Sequence, residues 1–210
     1  MKKIAILIAA FMMTAPAFAQ LVPGAGYVNT TFTNKSGGKT YKASHNGFYA
    51  GASINLDLAS MEGLSLVPGA YLSMVTSTGS DDYVVLSTTS TFTEIDLNIP
   101  VYFKYMVGVA NGAMVYLFAG PTVQYGISSK VNVKASTIIG GESSGDVDMY
   151  DPDDAGYNRL NVLVGGGVGM GFKKFSVNIG YDYGLMNIWR DMDDVTGNRA
   201  NFHVGVSYSL

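Results

Sequence analysis

The chain closes with Phe202-His203-Val204-Gly205-Val206-Ser207-Tyr208-Ser209-Leu210. Phe202, Val204, Val206, Tyr208 and Leu210 share one parity, and His203, Gly205, Ser207 and Ser209 the other. A period of two belongs to a β-strand with unlike faces. The same reading extends upstream. Phe175, Val177, Ile179, Tyr181, Tyr183 and Leu185 alternate with Ser176, Asn178, Gly180, Asp182 and Gly184. Ile95 to Tyr105, Phe48 to Leu56, Leu117 to Tyr125 and Val162 to Met170 repeat the pattern, and weaker versions occupy about 25–33 and 64–75. Eight strands are expected, each with the ~9–11 residues that cross a bilayer at a tilt.

The spacing between strands carries a second signal. Short connections fall around Met61-Glu62-Gly63, at Gly108-Val109-Ala110-Asn111-Gly112 and at Lys173-Lys174. Long ones are expected over 34–46, 77–90, 131–157 and 188–199. Short turns at one end and long loops at the other are the layout of an outer-membrane barrel, with both termini in the periplasm. Eleven of the 16 acidic residues sit in three of the long connections: Asp81 and Asp82; Glu142, Asp146, Asp148, Asp151, Asp153 and Asp154; Asp191, Asp193 and Asp194.

Composition narrows the class. Charged residues are 14% of the chain, well under the ~25% of a soluble domain. Lys2 and Lys3, the apolar run from Ile4 to Met13, and Ala17-Phe18-Ala19 make a signal peptide over 1–19, leaving a barrel domain over 20–210. No later run approaches the ~20 apolar residues of a spanning helix. With no Cys, an exported chain relies on no disulfide. Without Lys2 and Lys3 the chain carries 11 basic against 16 acidic residues, which gives no basic stripe for nucleic acid.

The two faces of each strand show which one meets lipid. The polar face is mostly Gly, Ser, Thr, Asn and Tyr, which suits the narrow interior of an eight-stranded barrel. Aromatics on the apolar face gather at two levels, Phe103, Tyr105, Phe172, Phe175 and Tyr208 at the short-turn end and Phe48, Tyr125 and Trp189 at the other, as paired interfacial girdles do. The fold expected is all-β: a transmembrane antiparallel up-and-down barrel of about eight strands in the outer membrane of a Gram-negative bacterium.

Three segments, Leu97-Asn98-Ile99-Pro100-Val101-Tyr102-Phe103-Lys104-Tyr105, Leu117-Phe118-Ala119-Gly120-Pro121 and Gly180-Tyr181-Asp182-Tyr183-Gly184-Leu185, resemble the PorT-like outer-membrane β-barrel family. The closing alternation looks like the terminal strand read by the outer-membrane assembly machinery, although it ends in Leu210 rather than an aromatic residue. The resemblance implies fold and location and no reaction.

Candidate chemistry is sparse. Asp57, Glu94, Asp96, Lys104 and Asp182 have lumen parity and form an expected polar network, four acids to one base. His203 is expected as the only strand histidine, near the outer end of the last strand, with Asp182 deeper. No nucleophile-elbow motif accompanies it. The segment Asp146-Val147-Asp148-Met149-Tyr150-Asp151-Pro152-Asp153-Asp154 offers oxygen ligands but departs from a Ca²⁺ loop, with Asp151 at the position that needs Gly. The glycines of Gly165-Gly166-Gly167-Val168-Gly169-Met170-Gly171 lie inside a strand and precede no helix, so they read as relief of crowding and not as a nucleotide loop.

No catalytic, metal or cofactor residue is expected. The partners expected are outer-membrane lipid and lipopolysaccharide, and the assembly machinery during biogenesis. The leading function is a non-enzymatic barrel acting through its outer loops. The alternatives are passage of small or apolar ligands and an outer-membrane enzyme acting on lipid or peptide.

Overall fold

A computed structural model describes residues 20–58, 61–83, 86–137, 142–151, 153, 156–190 and 195–210. The expected signal peptide, Asp154, Asp191, Asp193 and Asp194 lie outside the described residues. Nine strands follow in order: β1 (Gln20–Ser36), β2 (Lys39–Asp57), β3 (Leu64–Tyr83), β4 (Leu86–Ala110), β5 (Ala113–Thr137), β6 (Glu142–Asp148), β7 (Leu160–Phe172), β8 (Phe175–Gly184) and β9 (Val195–Tyr208). Every pairing is antiparallel, and the β1–β9 and β4–β5 pairings close the sheet into a ring. Eight strands form the wall. The short β6 pairs with the upper part of β5, whose lower part pairs with β7.

The register fixes the barrel's geometry. Following the strand registers from Thr30 to Asn201, Asp182, Gly165 and Gly120, then, with the β4–β5 and β2–β3 registers continued across the gaps in their ladders, through Tyr102 and Val67 to Asn55, returns to β1 at Gln20. The displacement on β1 is ten residues. With the usual rise and strand spacing, eight strands and this shear require a tilt of about 40°.

The apolar parity faces outward. On β8, Phe175, Val177, Ile179, Tyr181 and Tyr183 are exposed, as is Leu185 just beyond it. Ten tilted steps of ~3.3 Å give about 25 Å of height, the apolar band of a membrane barrel. Phe103, Tyr105, Phe172 and Phe175 are exposed at its lower edge, and Phe48, 75% exposed, marks its upper edge with Tyr125. Trp189 departs from the expected girdle. It turns inward, packs edge-on to Tyr157 at 4.6 Å and donates from Nε1 to Asn34 Oδ1 at 3.0 Å.

The short turns fall where expected, and their backbone explains them. Asn111 and Gly112 both have positive φ, 52° and 81°, as a two-residue hairpin turn with the twist of the flanking strands requires. The long connections need correction. Three of the four expected loops are largely strand. β1 and β2 stay paired up to Ser36 and Lys39 and turn on Gly37-Gly38, both at positive φ. β3 and β4 pair up to Tyr83 and Leu86, and β4 and β5 up to Leu86 and Thr137. The fourth segment, 188–199, contains the start of β9.

Candidate functional site

The lumen has two levels, an occluded outer end and an open chamber beneath it. The occluding group starts from the expected acids. Glu94 and Asp96 lie on β4, two residues apart on its inward face, and both are fully buried. Arg199 of β9 reaches between them. Its Nη2 lies 2.8 Å from Glu94 Oε1, and its Nη1 lies 3.3 Å from Asp96 Oδ2 and donates to Gln124 Oε1 at 2.8 Å. The guanidinium also stacks over the Phe32 ring at 4.7 Å. Tyr150 descends from the segment after β6 and donates its hydroxyl to Glu94 Oε1 at 2.7 Å. Burial, with the Glu94 and Asp96 carboxylates close by, pushes the Tyr150 phenol well above its ordinary range, so it remains a donor.

The expected imbalance of acids therefore has its answer in Arg199, which falls within the long connection expected over 188–199. The lost signal is the strand boundary. Once β9 is extended back to Val195, Arg199 falls on the parity of His203 and Asn201.

Above this plug sits a small apolar core of Phe32, Tyr150, Tyr157 and Ile188, with Phe92, Met149 and Trp189 against it. His45 belongs to the same layer. It is buried on β2, with Nδ1 2.5 Å from Ser77 Oγ and its ring 4.3 Å from that of Phe92. A second strand histidine thus corrects the expectation of one. Arg159 pins the descending segment, its Nη1 donating to the carbonyls of Gly126 and Ile127 while its guanidinium covers the Tyr150 ring.

Below the plug lies a cavity of about 380 Å³ that opens at the short-turn end. His203 lies in its wall at mid-strand, and Asp182 stands beside it rather than deeper. Asp182 pairs in register with Asn201, and its Oδ2 lies 3.4 Å from His203 Nε2, close but not aligned for a hydrogen bond. Asp182 accepts from the Tyr102 hydroxyl at 3.0 Å. Lys104 is near the mouth and donates to Asn55 Oδ1 at 2.7 Å. Asp57 is exposed at the rim and accepts from Ser65 Oγ at 2.7 Å.

The six expected polar residues therefore divide three ways: Glu94 and Asp96 in the plug, Asp182 and His203 in the chamber, Lys104 and Asp57 at its mouth. The glycines of β7 make the room. A Cβ on Gly165 would meet Asp182, one on Gly167 would meet Phe118, and one on Gly169 would meet the Tyr116 ring.

The acidic segment after β5 is partly strand. Asp146 accepts from Asn132 on the neighbouring β5, Asp148 caps the Tyr150 amide and Asp151 that of Asp153. Among the described residues no three His, Cys, Asp or Glu gather as metal ligands would.

A family model described as the outer membrane protein beta-barrel domain matches residues 14–190. The chain belongs to this family. It is an outer-membrane β-barrel of a Gram-negative envelope, so the short-turn end faces the periplasm and the projecting hairpins face outward. Solved structures similar to it include Ail, the attachment invasion locus protein of Yersinia pestis, in complex with the heparin analogue sucrose octasulfate. Identity to Ail is 13%, with 91% of this chain and 99% of Ail covered at a TM-score of 0.44. The outer membrane enzyme PagL is 12% identical over 87% of this chain and 99% of its own, with a TM-score of 0.46. The outer membrane protease OmpT from Escherichia coli is 10% identical over 93% and 98%, with a TM-score of 0.45. No curated protein matches the chain.

Proposed function

We propose that this barrel is a non-enzymatic surface protein that binds a partner outside the cell through its projecting hairpins. The observation that carries this reading is the continuation of paired strands beyond the lipid belt. On β1 the outward residues change from Tyr27 to Asn29, Thr31 and Thr33, yet pairing to β2 runs on to Ser36. Residues 29–36 add about 20 Å of height at the tilt above. Paired strands hold a surface far more rigidly than irregular loops, which lowers the ordering cost of binding.

The other readings have less support. Passage of a ligand needs an open lumen, and Arg199, Glu94, Asp96 and Gln124 occlude this one. Nucleophilic catalysis needs a base hydrogen-bonded to its nucleophile, and His203 Nε2 faces Asp182 with no hydrogen-bond partner. The strand segments that resemble PorT-like barrels support that subgroup and bring no role with them.

Outer-membrane lipid is the first partner in this reading, and the exposed apolar belt supports it. Lys35, Lys42, Lys130 and Lys134, all exposed on the strand extensions, offer charge to lipopolysaccharide phosphates. In biogenesis β9 would be the strand read by the assembly machinery.

The test uses full-length protein in lipid nanodiscs, probed against glycans and extracellular-matrix proteins. It is compared with a form in which the tips of the β1–β2 and β3–β4 hairpins are replaced by two-residue turns. Binding that is lost on trimming, while the folded barrel persists, supports the proposal. Equal binding by both forms would sink it. Steady stepwise conductance of the native protein in planar bilayers would favour passage instead. Turnover of lipid or peptide that His203→Ala abolishes would favour an enzyme.

A further inference from the structure

The chamber below the plug has features that filling space does not require. Its inner end holds the Asp182 carboxylate, 6% exposed, with one aligned donor, the Tyr102 hydroxyl. A carboxylate accepts about four hydrogen bonds, so capacity remains on a buried anion facing open volume. The wall around it is aromatic. Tyr102 lies 5.2 Å from Phe118, Phe118 6.3 Å from Tyr116, and Tyr49 5.8 Å from Tyr71, ring centre to ring centre. Tyr49 and Phe118 both flank His203, at 6.1 and 6.2 Å. Aromatic faces around a carboxylate are the chemistry that recognises an organic ammonium ion.

The charge distribution points the same way. In the plug above, the Arg199 guanidinium is already taken up by Glu94 and Asp96, so it offers the chamber no free positive charge to compete for Asp182. At the mouth, Lys104, Lys173 and Lys174 are basic. Their repulsion weighs about twice as much on a dication as on a monocation, Asp57 exposed at the rim offsets part of it, and an anionic trailing end on the ligand would offset more. The volume lies within the ~300–1,000 Å³ of small-ligand sites.

We propose that the periplasm-facing chamber is a binding site for a small organic monocation, with the ammonium group against Asp182 inside the ring of tyrosines. This site is at the opposite end of the molecule from the projecting hairpins, and the two can succeed or fail separately.

The chain contains two histidines, and they report the two ends. His203 lines the chamber and His45 lies above the plug. The experiment is a titration of full-length protein, folded in uncharged octyl glucoside micelles, with tetraethylammonium chloride. The imidazole resonances are followed by NMR, and His45→Gln assigns them. A saturable shift of His203 with His45 unmoved is expected, weakened at least tenfold in Asp182→Asn, while pivalate, an anion of similar bulk, leaves His203 unmoved. A chamber that holds water alone would give no saturable shift and would overturn the proposal. An equal response to pivalate, or an unchanged affinity in folded Asp182→Asn, would overturn it too. If that variant fails to fold, the native comparison of cation with anion decides.

Discussion

Arg199 sits between two carboxylates in a site closed to water, so its deletion leaves Glu94 and Asp96 buried without a counter-charge. Breaking a buried pair from one side typically costs about 3–5 kcal/mol. Arg199→Ala is therefore expected to lower the unfolding free energy of the barrel by that order, seen as a lower urea midpoint at an unchanged slope and read by gel mobility or tyrosine fluorescence. Combining Arg199→Met with Glu94→Gln and Asp96→Leu removes all three charges and should recover much of the loss. If the triple variant is no better than the single one, charge burial is not the cause. Gly126 tests the same network from another side. A Cβ there would collide with the Tyr150 hydroxyl and ring, and Tyr150 is held between Arg159 and Glu94. Gly126→Ala should cost about 1–3 kcal/mol, the usual range for overpacking. Tyr150→Phe in the same background, which removes the colliding oxygen, should relieve part of it.

The hairpins show how an element escapes a pattern search. Over Thr76-Ser77-Thr78 and Ser87-Thr88-Thr89-Ser90-Thr91 the chain pairs as strand, but little apolar residue alternates with polar. Above the belt the outer face meets water, so the contrast on which period two depends fades. The readable signals were different ones: runs of Thr, which favour strands, and Ser36-Gly37-Gly38-Lys39, a hairpin signature. If the extensions are built on strands already complete within the belt, they are dispensable for folding. Replacing 34–41 by Gly-Gly, a two-residue hairpin turn between the paired Thr33 and Lys42, should leave intact the difference in gel mobility between unboiled and boiled protein. It also removes Asn34, which accepts from Trp189 Nε1. The only tryptophan should then report a change in emission while the barrel stays folded.

At the scale of the whole molecule, closure without edges makes the native form resist detergent, because lipid-exposed backbone can be satisfied only in a closed ring. The native protein should run as a compact species in SDS before boiling and as an extended chain after it. The plug predicts a further property: in planar bilayers the native barrel should show no steady conductance, whereas Arg199→Ala, if it folds, should show openings. Openings of equal size and frequency in the native protein would mean that the plug does not close the lumen.

The sequence by itself determined the eight-strand wall, the short turns, the face turned to lipid and the inward parity of Asp57, Glu94, Asp96, Lys104, Asp182 and His203. All of these are local, because the bilayer imposes its contrast on each strand separately. Tertiary structure alone decided which inward groups meet. Arg199 and Glu94 are 105 residues apart, and they are brought together by ring closure, a ten-residue shear and a descending Tyr150. Shear belongs to no single strand, since it accumulates around the whole barrel, and so neither the plug nor the chamber beneath it is written in any one segment.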